Sequence, residues 1–171
     1  MKRVCKLTLG TLGLLFLGVV LAAGDACAQT AKDLAGTWTL VSTVTEQGGN
    51  KTDTFGPHPK GILTVDANGR YVLVIARADL PKVASNNRTT ATPEENKAIV
   101  QGSGAHFGTV SVNAADKTIT FKIETATFPN WDGTEQKRPF TLTGDELTYT
   151  VPAMSGGGTG TTVWKRAKLG M

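Results

Sequence analysis

From Lys117 to Thr125 the chain alternates without a break, with Ile119, Phe121 and Ile123 on one side and Thr118, Thr120, Lys122 and Glu124 on the other. A period of two is the side-chain repeat of a strand with one buried face, so this stretch belongs between a core and solvent. The return of such strands at short intervals limits the fold more than any other feature. In Leu34–Val44, Gly36 permits a turn or a close backbone approach, Trp38 is the first large apolar body, and Leu40, Ser42 and Val44 continue its face. Gly61–Val65 and Tyr71–Ile75 flank Asp66-Ala67-Asn68-Gly69, whose Asn-Gly pair is a hairpin signal. Ala105–Val112, Gln136–Thr143, Glu146–Val151 and Thr161–Arg166 complete the series. About eight strands joined mostly by hairpins is the number at which a closed barrel holds either packed side chains or one small ligand. The expectation is an all-β, antiparallel up-and-down β-barrel, with a two-sheet sandwich as the competing topology.

One segment breaks the pattern. Thr92-Pro93-Glu94-Glu95 offers a capping threonine, a proline at the first helical position and a glutamate at the third, which predicts one short helix between the third and fourth strands, ending at Gly102. Glu46 to Lys60 contains Gly48-Gly49-Asn50 and Pro57-His58-Pro59. It reads as a loop of lid character, too long for a tight hairpin and too rich in turn formers for a strand. Thr127 to Gly133 places Phe128 and Trp131 in a loop, where two large aromatics either close the barrel mouth over a ligand or plug it.

The N-terminus is read as a removed signal peptide, residues 1–28. Lys2, Arg3 and Lys6 precede an apolar run from Leu7 to Ala23, and Ala26-Cys27-Ala28 is a small-x-small cleavage site. Residues 29–171 then form one domain, periplasmic or secreted, without a stable membrane anchor after cleavage and expected to be monomeric. Cys5 and Cys27 fall in the leader, so the mature chain has no cysteine and depends on packing in an oxidising compartment. The net charge of +4 shrinks once the basic leader is gone. No aromatic platform accompanies the basic tail Lys165-Arg166-Ala167-Lys168, so no nucleic-acid partner is expected.

Gly36-Thr37-Trp38 at the start of the first strand and Arg166 at the end of the last resemble the lipocalins, in which a Gly-x-Trp tryptophan packs under an arginine of the final strand at the closed end of the barrel. The chain is more closely similar to the bacterial lipocalin-like domain family. Leu34–Ser42, Gly69-Arg70-Tyr71, Glu94-Glu95-Asn96-Lys97, Ala105-His106-Phe107-Gly108, Phe128-Pro129-Asn130-Trp131, Lys137-Arg138 and Gly144-Asp145-Glu146-Leu147 carry that likeness over nearly all of the mature chain. It implies structural roles for Gly36, Trp38 and Arg166. Two departures from the lipocalins proper loosen the implied transport role: few residues follow Arg166, and no disulfide ties a tail to the barrel.

Strand phase supplies the candidate site. If the apolar faces point inward, the polar groups in register with them do too: Tyr71, Leu73 and Ile75 lead to Arg77, Val110 and Gly108 to His106, Phe140 and Leu142 to Arg138, and Leu147 and Val151 to Tyr149. Guanidiniums, an imidazole and a phenol converging in an apolar cavity suit an acidic small molecule, because arginine forks onto a carboxylate and a buried arginine without a partner is costly. Each residue also has a plainer reading. Arg77 and Arg138 sit near strand ends, within reach of solvent or of Asp79, Glu124 or Glu135; His106 and Tyr149 suit the core.

The candidate ligand-binding residues are therefore Tyr71, Arg77, His106, Phe128, Trp131, Arg138 and Tyr149. The leading expectation is an exported barrel that binds a small, mostly apolar molecule, leaving open whether that molecule is acidic. A cofactor-free isomerase or cyclase using His106 or Glu124 is the second reading, and a filled barrel acting as an interaction module through loops 48–60 and 127–133 is the third. Whether the chain is an enzyme stays open, with binding preferred. No catalytic set is assigned, and with only His58 and His106 and no thiolate, no metal or cofactor is expected.

Overall fold

The computed structural model describes residues 30–168. The expected leader and both cysteines lie outside the described residues. In chain order the elements are α1 (Ala31–Leu34), β1 (Gly36–Gln47), β2 (Asn50–Asp53), β3 (Lys60–Val65), β4 (Arg70–Ala76), α2 (Pro93–Gly102), β5 (Ser103–Asn113), β6 (Thr118–Ala126), β7 (Glu135–Thr143), β8 (Glu146–Val151) and β9 (Thr159–Arg166). Each barrel strand pairs antiparallel with its neighbours, and β9 returns to β1 with Trp38 opposite Arg166 and Leu40 opposite Trp164. Eight strands close the wall, which leaves no long free edge.

Local chemistry sets most of these boundaries. In the β3–β4 connection the Asp66 carboxylate accepts from the amides of Asn68 and Arg70, both at 2.8 Å, so the turn is closed by a side chain as well as by backbone. At α2, Thr92 Oγ1 accepts from the Glu95 amide at 3.2 Å while the Glu95 carboxylate accepts from the Thr92 amide at 2.8 Å. This is the expected capping box, with Pro93 in the first turn where its missing N–H costs nothing.

The closed end is filled. Trp38, Leu63, Val65, Ile119, Leu147 and Trp164 are all buried there, with Leu34 of α1 in the same cluster. Burying each such side chain contributes roughly 1.5–3 kcal/mol. Arg166 closes the seam: its Cζ lies 4.1 Å from the Trp38 ring centre, and its guanidinium donates to the carbonyls of Ala35 at 2.8 Å and Asp33 at 2.9 Å. Gly36 has a φ of 128°, and a Cβ there would meet Arg166 Nη1 at 2.9 Å. The glycine therefore answers both a backbone requirement and a close approach.

Two features depart from the sequence reading, both on β1. The stretch after Val44 is a hairpin rather than a loop. β1 continues to Gln47, Gly48 and Gly49 turn with φ of 57° and 80°, and β2 pairs back with Gln47 opposite Asn50. Two adjacent glycines in the left-handed region make the two-residue turn whose twist suits a hairpin, so here turn formers join strands instead of ending them. The second departure is a β-bulge: Leu40 faces Trp164 but Ser42 faces Val163, so Val41 has no partner of its own and turns outward. The phase of β1 is shifted beyond it. Thr43 and Thr45 point inward in place of the expected Ser42 and Val44.

Candidate ligand-binding site

Above the packed end the barrel is open, enclosing a cavity of about 670 Å³, within the range of small-molecule sites. Its base is a run of edge-to-face rings. Tyr149 meets Phe121 at 5.8 Å between centres, Phe121 meets Tyr71 at 5.0 Å, and Tyr71 meets His106 at 5.4 Å. The run continues upward through His106 to Trp131 at 5.9 Å and from Trp131 to Phe128 at 5.3 Å. Phe128 is at the mouth, 40% exposed. The short helical turn Pro129–Trp131 sets Trp131 against His106 with Phe128 packed on it at the rim, and the Asp132 carboxylate anchors that segment by accepting from the Ala126 amide at 2.7 Å.

Arg138 enters from β7 and is only 4% exposed. Its Cζ lies 4.5 Å from the Phe121 ring centre and 4.9 Å from that of Tyr149, and its Nη2 donates to Gln136 Oε1 at 2.6 Å. Nε has no hydrogen-bond partner, and no carboxylate pairs with this guanidinium among the described residues. The acids within sequence reach are engaged elsewhere: Glu135 faces Lys122 at 3.9 Å, and Glu124 is bonded to Arg70 on the outer surface. Stacking on two rings and one amide contact orient the arginine, yet leave its charge uncompensated.

His106 is also buried and shares a 2.8 Å hydrogen bond between Nδ1 and the Tyr71 hydroxyl. Burial, with the Arg138 guanidinium adding to it, lowers the imidazole pKa to about 3, so the ring is neutral across the physiological range. Burial likewise pushes the Tyr71 phenol well above its ordinary value. The pair is thus an uncharged hydrogen-bonding unit at the cavity base.

Of the seven candidates, His106, Phe128, Trp131, Arg138 and Tyr149 line the cavity. Tyr71 lies just beneath, bonded to His106. Arg77 is not brought to them: beyond the end of β4 it forks onto Asp79 at 3.0 and 3.1 Å. The cavity also has polar walls the sequence reading did not pick out, namely Thr43, Thr45 and Gln47 on β1, Thr162 on β9 and Gln136 on β7. Gln136 was legible as the residue two before Arg138; Thr43 and Thr45 were not, because the bulge that turns them inward leaves no mark in the alternation.

The lipocalin-like domain family matches residues 35–167. No curated protein matches the chain. Among solved structures, a mutant of the fluorescent protein UnaG aligns at 11% identity over 80% of this chain and 97% of that one, with a TM-score of 0.36, too loose a likeness to bear on the site. The family match spans the whole barrel from the strand that carries Trp38 to the one that carries Arg166, and the chain belongs to the lipocalin-like domain family.

Proposed function

We propose that this protein is an exported binding protein holding one small, mostly apolar molecule in the open half of the barrel, with an anionic group of that molecule seated on Arg138. The observation that carries this reading is the guanidinium itself: buried against the cavity, with Nε unpartnered and no carboxylate beside it among the described residues. A charge held out of water is costly unless it is paired, and a ligand carboxylate forked onto arginine supplies the missing partner. The rings around it provide apolar contact for the rest of the molecule. Export rests on the N-terminal apolar run and cleavage site.

Acid-base catalysis draws less support from the same geometry. An imidazole with a pKa of about 3 is a weak base near neutrality, and Glu124 is outside the barrel. Native mass spectrometry of protein taken from its own host, followed by titration with apolar carboxylic acids and their neutral amides, tests the proposal. Acids are expected to bind at least about tenfold more tightly than the amides, and Arg138→Gln to erase that difference while the far-ultraviolet spectrum is unchanged. Equal binding of acid and amide would overturn the reading.

A further inference from the structure

The cavity has two unlike sides. Around the closed ring of eight strands, β9 lies diametrically opposite β5, and β1 lies opposite β6. One side carries His106 and Trp131, with Phe121 packed behind them against His106 and Arg138, a wall of rings beside the guanidinium. The other carries hydroxyls beside the apolar Phe55, Val151 and Met154. Thr43 and Thr162 are 4% and 2% exposed, and Thr43 Oγ1 donates to Thr162 Oγ1 at a long 3.4 Å. That leaves the Thr162 hydroxyl hydrogen without an acceptor among the described residues. Nearer the mouth, Thr45 and Thr54 share one hydrogen bond of 2.7 Å between their hydroxyls, so one of the two protons is again unclaimed.

Each side places a demand on the occupant. A methylene chain laid along the threonines would strip water from buried hydroxyls and return no hydrogen bond. A flat ring system turned with one face to Trp131 and His106 gains ring-to-ring contact. Oxygen substituents on its far edge then reach the threonines.

Resting on the reading of Arg138 as an anion site, we infer that the ligand is an aromatic carboxylic acid bearing hydroxyl or carbonyl groups on the edge away from the ring wall, and not a fatty acid. Arg138 holds the carboxylate, the β5–β6 side stacks on the rings, and Thr43 and Thr162 bond the far-edge oxygens. Selection among acids lies with the threonines, and selection of acids over neutral molecules lies with Arg138.

The test uses the purified protein and four kinds of probe: decanoate, naphthoate, a set of ring-hydroxylated naphthoates, and naphthamide. The tightest hydroxylated naphthoate is expected to bind about tenfold better than naphthoate, and decanoate to be the weakest acid. Thr162→Val should abolish the preference for the hydroxylated naphthoate over naphthoate. Thr43→Val serves the same purpose if Thr162→Val does not fold. Decanoate binding as tightly as the best hydroxylated naphthoate would overturn this inference while leaving the anion site standing. A threonine variant that weakens every acid equally would do the same. If naphthamide binds as well as naphthoate, or Arg138→Gln changes nothing, the anion site itself fails.

Discussion

Arg138 lies where water has little access and is held there by two aromatic faces and one amide oxygen. A buried charge without an ionic partner costs stability, and the proposed anion site gives that cost a use. Arg138→Met, which keeps the bulk and removes the charge, is expected to stabilise the free protein by about 1 kcal/mol in urea unfolding while weakening carboxylate binding at least about tenfold. A loss of stability together with unaltered acid binding would contradict the role assigned to the charge. His106 gives a second expectation. Its folded pKa of about 3 lies below the unfolded value of about 6.5, so its contribution is full above pH 6.5 and is lost as pH falls through the window between them. Stability should therefore drop by roughly 1.4 kcal/mol per pH unit between pH 6 and 5, before the carboxylates titrate. His106→Gln should flatten that slope, as urea midpoints measured across the window will show. At this scale the sequence displayed which side chains share a face but not their partners. Arg77 and Arg138 read alike along the chain; the first has Asp79 two residues on and the second has only Gln136 two residues back.

The elements repeat the division. α2 and the β3–β4 hairpin are built by contacts among residues within four positions of one another, and such contacts are legible in sequence: Thr92 with Glu95, and Asp66 with Asn68 and Arg70. Thr92→Ala is expected to cost about 1 kcal/mol of stability. β1 shows where local reading ends. Its first half is in the expected phase and its second half is not, because the bulge is set by how β1 and β9 pair across the closing seam. That same seam carries Arg166, whose two carbonyl contacts and stacking on Trp38 join α1, β1 and β9. Arg166→Ala is expected to lower stability by about 2 kcal/mol and to leave ligand affinity unchanged, since the contacts it removes lie at the packed end, away from the cavity. Thermal unfolding and a binding titration on the same variant check both halves.

For the whole molecule, the packed end and the cavity occupy separate halves of one barrel. The packed half holds Trp38, Trp164 and Leu147, and the open half holds Arg138, Trp131 and the threonines. A ligand that binds only the folded barrel must raise its stability, by about 2.7 kcal/mol at a hundredfold excess over Kd. A thermal-shift series with the best-bound acid is expected to show that rise in the wild type and to lose most of it in Arg138→Gln at the same concentration. The order of the barrel strands, the β3–β4 hairpin and the capped helix were determined by the sequence alone, because alternation, turn residues and caps act between near neighbours in the chain. The register of β9 on β1, the inward turn of Thr43 and Thr45, and the isolation of Arg138 from every described carboxylate were decided by the tertiary structure. Each depends on which strand lies across from which, and no interval along the chain encodes that.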